Sequence, residues 1–292
     1  MESEDKKPPH RGLKKGLYVI PSAFTAANIA MGFLAVLASV RGFQSIVSNV
    51  EQSAVYFGWA AKAIALAIVF DTLDGRVARL TRTSTEIGVQ LDSLADVLTF
   101  GIAPTILIYS WAIGATYSES NSLHAFGVFV LFMYLMCGAF RLARFNLQAT
   151  RPRVLSEGAP KTDKKNFVGL PIPPAAGLLA AIVFLHPQPL SISGENLSNL
   201  YAVLMMILTA ILGLLMVSTV RYSSFKTTGA GKQSVYLILV VAALGMLVWL
   251  FPQYMLFAIA FAYVAHGILW YLLGLLRPRR RKISVGEETE NV

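Results

Sequence analysis

The sequence predicts an all-α, polytopic integral membrane protein, and three observations carry that prediction: composition, apolar runs of spanning length, and the placement of Lys and Arg. Of 292 residues, 55% are hydrophobic and only 14% charged, at a mean hydropathy of +0.58; a soluble domain carries roughly a quarter charged residues. Too few Asp, Glu, Lys and Arg are present to coat a water-soluble chain of this length. A disulfide scaffold is excluded as well, because Cys137 is the only cysteine. The net charge of +9 sits in short basic blocks between apolar runs, which suits an anionic membrane leaflet and argues against nucleic acid as a partner.

A bilayer core is crossed by about 20 helical residues. Eight runs qualify: 17–40, 53–74, 90–112, 124–145, 168–186, 197–218, 234–251 and 254–276. They define one membrane domain, 17–276, between a basic amino-terminal segment, 1–16, and a polar tail, 277–292. The first run is too long for a signal-peptide core and no small-residue cleavage site follows it, so it reads as a retained helix. Pro171, Pro173 and Pro174 break the entry to the fifth run, and Pro252 leaves only a tight turn between the last two. Every Lys and Arg except Arg41 and Lys62 lies at the amino terminus, in the second, fourth or sixth connection, or in the tail. Both termini are therefore expected in the cytoplasm, which requires an even number of spans. Lys62 lies in mid-span on the helical face opposite Asp71, placed to snorkel outward or to pair with a polar neighbour. His124, His186 and His266 have no metal-ligand spacing, and Trp59, Trp111 and Trp249 read as interfacial belt residues.

The second cytoplasmic connection carries the chemistry. From Asp71 to Asp96 it reads DTLDGRVARLTRTSTEIGVQLDSLAD. Asp71, Asp74, Gly75 and Ala78 share one face of the second helix, and Gly88, Asp92 and Asp96 step by four along the third. Thr83 with Glu86 forms a capping box that starts the third helix. The short turn makes the two helices antiparallel, with carboxylate pairs facing each other. The apolar stretch Val97–Trp111 is 15 residues, about 22 Å of helix against a core of ~30 Å, so Asp92 and Asp96 belong to the embedded part near the cytoplasmic interface. Each Asp at the bilayer centre costs about 2.5–3.5 kcal/mol on insertion scales, so something cationic must sit among them. Oxygen ligands without nearby His or Cys suit Mg²⁺, Mn²⁺ or Ca²⁺. Two such ions held by Asp71, Asp74, Asp92 and Asp96 can clamp a diphosphate. Gly75 and Gly88 let a substrate approach the backbone, and Arg79 supplies a fixed phosphate donor. The plain alternative is a solvated loop whose acids pair with Arg76, Arg79 and Arg82; the added glycines and the doubly spaced aspartates argue against it.

Asp71-x-x-Asp74-Gly75-x-x-Ala78-Arg79, eight residues, then Gly88-x-x-x-Asp92-x-x-x-Asp96 resembles the signature of the CDP-alcohol phosphotransferase family in every fixed position. The resemblance implies a six-helix core within the eight spans, two divalent cations on Asp71, Asp74 and Asp92, and Asp96 as a further ligand or as the general base. It also implies contacts to the CDP part from Gly75, Ala78, Arg79, Thr85 and Gly88, and assembly as a homodimer. The first helix is similar too, with Pro21, Ser22, Thr25 and Asn28 as a polar edge near the cytidine.

Three further segments resemble the integral-membrane phosphatidylserine synthase branch of that family: Arg141-Leu-Ala-Arg144-Phe145-Asn146, Phe167-Val-Gly169-Leu-Pro171-Ile-Pro173-Pro174, and Ser218-Thr-Val-Arg221-Tyr222-Ser223-Ser224-Phe225-Lys226. The implied reaction joins CDP-diacylglycerol and L-serine at the cytoplasmic side of the cell membrane. Arg144, Arg221 or Lys226 can hold the serine carboxylate, and Asn146, Ser223 or Ser224 its ammonium. Plain positive-inside anchoring is the alternative for the basic residues. The rival functions are the same chemistry on glycerol 3-phosphate or an inositol phosphate, and a cation transporter; the second is disfavoured by an interfacial cluster with no second DxxDG copy.

Overall fold

The computed structural model describes residues 11–81, 86–150, 166–223, 246–247 and 249–276, with side chains over 23–77, 87–147, 169–220, 246–247 and 249–270. The helices are α1, Arg11–Ser45; α2, Val50–Thr81; α3, 86–116; α4, Ser122–Thr150; α5, Ile172–Leu185; α6, Glu195–Val217; and α7, Pro252–Leu276. All-α is the class, and six of these helices are long and apolar enough to cross a membrane. The fifth predicted span, 168–186, is corrected to a 14-residue helix, about 21 Å long. Its start is delayed by Pro171, which sits extended at the cap with proline in the first turn, the place where proline's missing N–H is harmless. Most of the seventh predicted span, 234–251, lies outside the described residues, as does Thr83 of the predicted capping box.

Two helices, α2 and α4, start ahead of their predicted spans because an asparagine caps each. Asn49 Oδ1 accepts from the Gln52 amide at 2.9 Å and starts α2 three residues early. Asn121 Oδ1 does the same for Leu123 at 2.9 Å ahead of α4. Inside α1, Ser39 and Ser45 donate to the carbonyls of Ala35 and Arg41 at 2.7 and 2.8 Å, which removes their penalty in an apolar setting. In α3, two π segments, Val97–Ile102 and Tyr109–Ile113, interrupt the α geometry, the first immediately after Asp96.

One core runs through the bundle, with Phe57, Ile64, Phe100, Leu107, Tyr134 and Leu179 among its fully buried members. Lipid is as apolar as a leucine side chain, so helices associate there by close packing and buried hydrogen bonds. The contact of α1 with α3 shows this: a Cβ on Gly32 would lie 2.4 Å from Thr99 Oγ1 and 2.9 Å from Thr99 Cα. Tyr134 Oη ties α4 to α3 through the Phe100 carbonyl at 3.1 Å. Trp111 is 3% exposed and donates to the Gln188 carbonyl at 2.7 Å, so it is a core residue and not a belt residue. Trp59 and Trp249 do stand exposed. Lys62 is exposed and its Nζ lies 5.3 Å from the Phe184 ring centroid, level with the far end of α5, as snorkelling requires.

Two three-residue strands, β1 (Asn166–Val168) and β2 (Arg221–Ser223), pair antiparallel with Phe167 opposite Tyr222. The pairing continues into Gly169, whose amide donates to the Val220 carbonyl at 2.8 Å at φ +85°. A Cβ there would lie 2.3 Å from the Met216 carbonyl oxygen, whereas Gly194, at φ +86°, has open space. Substituting alanine at Gly194 should therefore cost only the backbone strain, about 1 kcal/mol, and at Gly169 distinctly more. Thermal unfolding of both variants in detergent checks this; equal losses would show that the backbone approach contributes nothing.

Candidate active site

The spacing i, i+3 places Asp71 and Asp74 on one face near the end of α2, and i, i+4 places Asp92 and Asp96 on one face at the start of α3. The structure brings Asp71, Asp92 and Asp96 together, one carboxylate oxygen of each within 4.8 Å of the other two. Asp74, buried, accepts a hydrogen bond from Thr25 Oγ1 of α1 and repels Asp71 and Asp92 electrostatically. All four aspartates are thus in one site, three converging and the fourth turned toward α1. The two aspartate pairs flank the connection from α2 to α3 and so lie at one end of the bundle.

Its floor is built by α1 and α4. Thr99 Oγ1 donates to the Asn28 carbonyl at 3.2 Å, so Asn28 sits beside the turn that follows Asp96. Its side chain is 1% exposed, and both amide atoms lack a hydrogen-bond partner. Asp96, 9% exposed, has an unpartnered Oδ1. From α4, Asn146 Nδ2 donates to Ser93 Oγ at 2.8 Å, and Arg144 reaches the Val217 carbonyl at the end of α6 in a long 3.5 Å contact.

Among the remaining predicted residues, Gly75 and Gly88 lie exposed beside the aspartates. Pro21, Ser22, Ala78 and Arg79 are in α1 and α2, and Arg221 and Ser223 in β2, with side chains outside the described set; Thr85, Ser224 and Lys226 lie outside the described residues altogether. The β pair sets the second and third resemblance segments side by side. Ser93, Thr99 and Arg141 were missed as site residues. Ser93 stands inside the aspartate signature, but a serine in a helix is ordinary. Arg141 was hidden by the positive-inside pattern, which accounts for any arginine at that membrane face; the structure sets its charge against that of Asp96.

The carboxylate set suits a hard divalent cation: oxygen-only ligands, a small separation, and a buried Oδ1 with no protein partner. Fold and site together define a polytopic membrane protein with an acidic cation-type centre near one membrane face. The sequence profile of CDP-alcohol phosphatidyltransferases matches residues 18–215, and the chain belongs to that family. Its relatives include the CDP-diacylglycerol--serine O-phosphatidyltransferase of Helicobacter pylori (strain ATCC 700392 / 26695), 31% identical over 89% of this chain and 94% of that protein. The protein of the same name from Methanocaldococcus jannaschii is 31% identical over 72% of this chain and 83% of its own length. An archaetidylserine synthase from Methanothermobacter thermautotrophicus is 33% identical over 72% of each.

The Thr25 contact yields a prediction. Partners that orient metal-ligating carboxylates typically carry a 10–100-fold share of metal affinity. Thr25→Val should therefore weaken Mn²⁺ binding roughly tenfold, read by electron paramagnetic resonance of the detergent-solubilised protein, while Asp71→Asn should remove it. Unchanged Mn²⁺ affinity in Thr25→Val would mean Asp74 does not need this donor.

Proposed function

We propose that this protein transfers the phosphatidyl group of CDP-diacylglycerol to L-serine, giving phosphatidylserine and CMP, at the cytoplasmic side of the membrane. The convergence of Asp71, Asp92 and Asp96 inside the family-matched region carries the reading, and the serine-transferring names of the relatives supply the acceptor. Two divalent cations, Mg²⁺ or Mn²⁺ with Ca²⁺ as a further candidate, held by Asp71, Asp74, Asp92 and Asp96, would neutralise the diphosphate charge.

The protein's own residues do the rest. Asp96, a turn further along α3 than Asp92, takes the proton of the serine hydroxyl. The hydroxyl oxygen then attacks the lipid-side phosphorus, and the bond from that phosphorus to the bridging oxygen breaks, with CMP leaving. Arg79 and the backbone at Gly75, Ala78, Thr85 and Gly88 position the CDP part, with Pro21, Ser22 and Thr25 of α1 along its edge and Asn28, a turn further along α1, at the end of that edge toward the acceptor. Arg144, Asn146, Arg221, Ser223, Ser224 and Lys226 surround the acceptor entrance. A homodimer embedded in membrane lipid is the proposed assembly.

The experiment is to supply purified protein with CDP-diacylglycerol, a divalent cation and a panel of alcohols, then to measure CMP release and identify the lipid by mass spectrometry. Serine should give phosphatidylserine, and a strong chelator should abolish CMP release until cation is restored. A phosphorylated product from glycerol 3-phosphate or an inositol phosphate would overturn the acceptor, and full activity in chelator would overturn the cation site.

Asp96→Asn keeps the size but loses the proton acceptor, so kcat should fall by roughly 10²–10⁴-fold. CDP-diacylglycerol affinity in the presence of cation should stay within about tenfold, a change of roughly 1.4 kcal/mol. An equal collapse of affinity in Asp96→Asn and Asp71→Asn would make Asp96 a ligand only.

A further inference from the structure

Buried polar atoms almost always have hydrogen-bond partners, and one without a partner destabilises the fold unless a ligand completes it. Among the described residues, four of the buried side-chain atoms without a partner are Asn28 Oδ1 and Nδ2, Asp96 Oδ1 and Arg141 Nε. They belong to α1, α3 and α4, and the packing brings them to one place. Two hydrogen bonds fix the register of α3 against α4: Tyr134 to Phe100 at 3.1 Å and Asn146 to Ser93 at 2.8 Å. The chains run antiparallel, so Arg141, between Tyr134 and Asn146, comes opposite Asp96, between Ser93 and Phe100. The two charges interact electrostatically, and Tyr263 of α7 interacts with Arg141 as well. On α1, the Thr99 bond to the Asn28 carbonyl at 3.2 Å and the close seat of Gly32 on Thr99 set Asn28 beside the turn after Asp96.

Two neighbouring polar groups of α4 are occupied. Asn146 is bonded to Ser93, and Arg144 reaches toward the end of α6. These two tie helices together, and Arg141 is, among the described side chains, the guanidinium set against Asp96.

We infer that Arg141, Asn28 and Asp96 form the acceptor pocket: Arg141 takes the carboxylate of the amino acid, the Asn28 carboxamide oxygen takes its ammonium, and Asp96 Oδ1 receives its hydroxyl. The inference rests on the proposed serine transfer and goes beyond it by naming the groups that choose the acceptor. Three unsatisfied protein groups of different chemistry meet the three polar groups of serine, each with its complement. The planar fork of Arg141 binds a carboxylate in a way that a lysine ammonium cannot. Tyr263, outside the stretch matched by the family profile, positions Arg141 from α7.

The test uses the full-length enzyme with three acceptors: L-serine, L-serinamide, which lacks the carboxylate, and 3-hydroxypropionate, which lacks the amine. Arg141→Lys should raise the serine KM roughly 10- to 100-fold, and Arg141→Gln should also bring kcat/KM for serine and serinamide to within about threefold of each other. The KM for CDP-diacylglycerol should stay within about threefold in both variants. Asn28→Ala should shrink the preference for serine over 3-hydroxypropionate while leaving that over serinamide intact. Unchanged acceptor ratios in the Arg141 and Asn28 variants would overturn the pocket. Parallel loss of CDP-diacylglycerol and serine affinity in Arg141→Lys would also overturn it, since Arg141 would then be a counter-ion for Asp96 alone. Failure of the underlying reading looks different: the unmodified enzyme would make no phosphatidylserine at any serine concentration, and both proposals would fall.

Discussion

Mutual repulsion among carboxylates at one end of a membrane bundle is the constraint on which the rest of this structure depends. Three carboxylate oxygens within 4.8 Å of one another, near the lipid boundary, are unfavourable without positive charge among them. The described residues supply one hydroxyl, Thr25 to Asp74, and one guanidinium, Arg141 beside Asp96. The remaining compensation must arrive with bound cations and substrate, so occupancy of the site and stability of the bundle are linked. What holds the aspartates together meanwhile is packing. Gly32 allows α1 to lie against α3 at backbone distance, and Tyr134 fastens α4 to the same helix, in a solvent that gives helices no hydrophobic reason to associate.

Much of this was legible in the sequence, and for physical reasons. Helical spacing alone put Asp71 with Asp74 and Asp92 with Asp96, because i, i+3 and i, i+4 positions share a face in any α-helix. Hydropathy located the spans because lipid demands about 20 apolar residues in a row. The ends were less readable, since Asn49 and Asn121 cap their helices with side chains that an apolar count ignores. The fifth helix is shorter than its apolar run because Pro171 sits extended at its cap and Gly169 before it has a positive φ. The π segment after Asp96 and the β1–β2 pair leave no hydropathy signal, as one is a change of winding and the other joins segments some 50 residues apart. Arg141 was hidden for a different reason: the rule that explains cytoplasmic arginines as anchors explains this one equally well, and only its interaction with the Asp96 charge separates the two roles.

Depth also bears on how a transferase excludes the commonest competing nucleophile, water. On the proposed reading, hydrolysis of CDP-diacylglycerol and transfer to serine share the same leaving group and the same cation chemistry, so selectivity must lie at the base. Asp71 and Asp92 are partly exposed, whereas Asp96 is 9% exposed and its Oδ1 is buried without a protein partner. A carboxylate in that position meets a nucleophile only after the nucleophile has been carried inside. Water gains little from entering, because it offers no carboxylate to Arg141 and no cation to Asn28. Serine satisfies all three groups at once and excludes water as it does so, which turns the desolvation of Asp96 from a burden on the fold into a filter on the reaction.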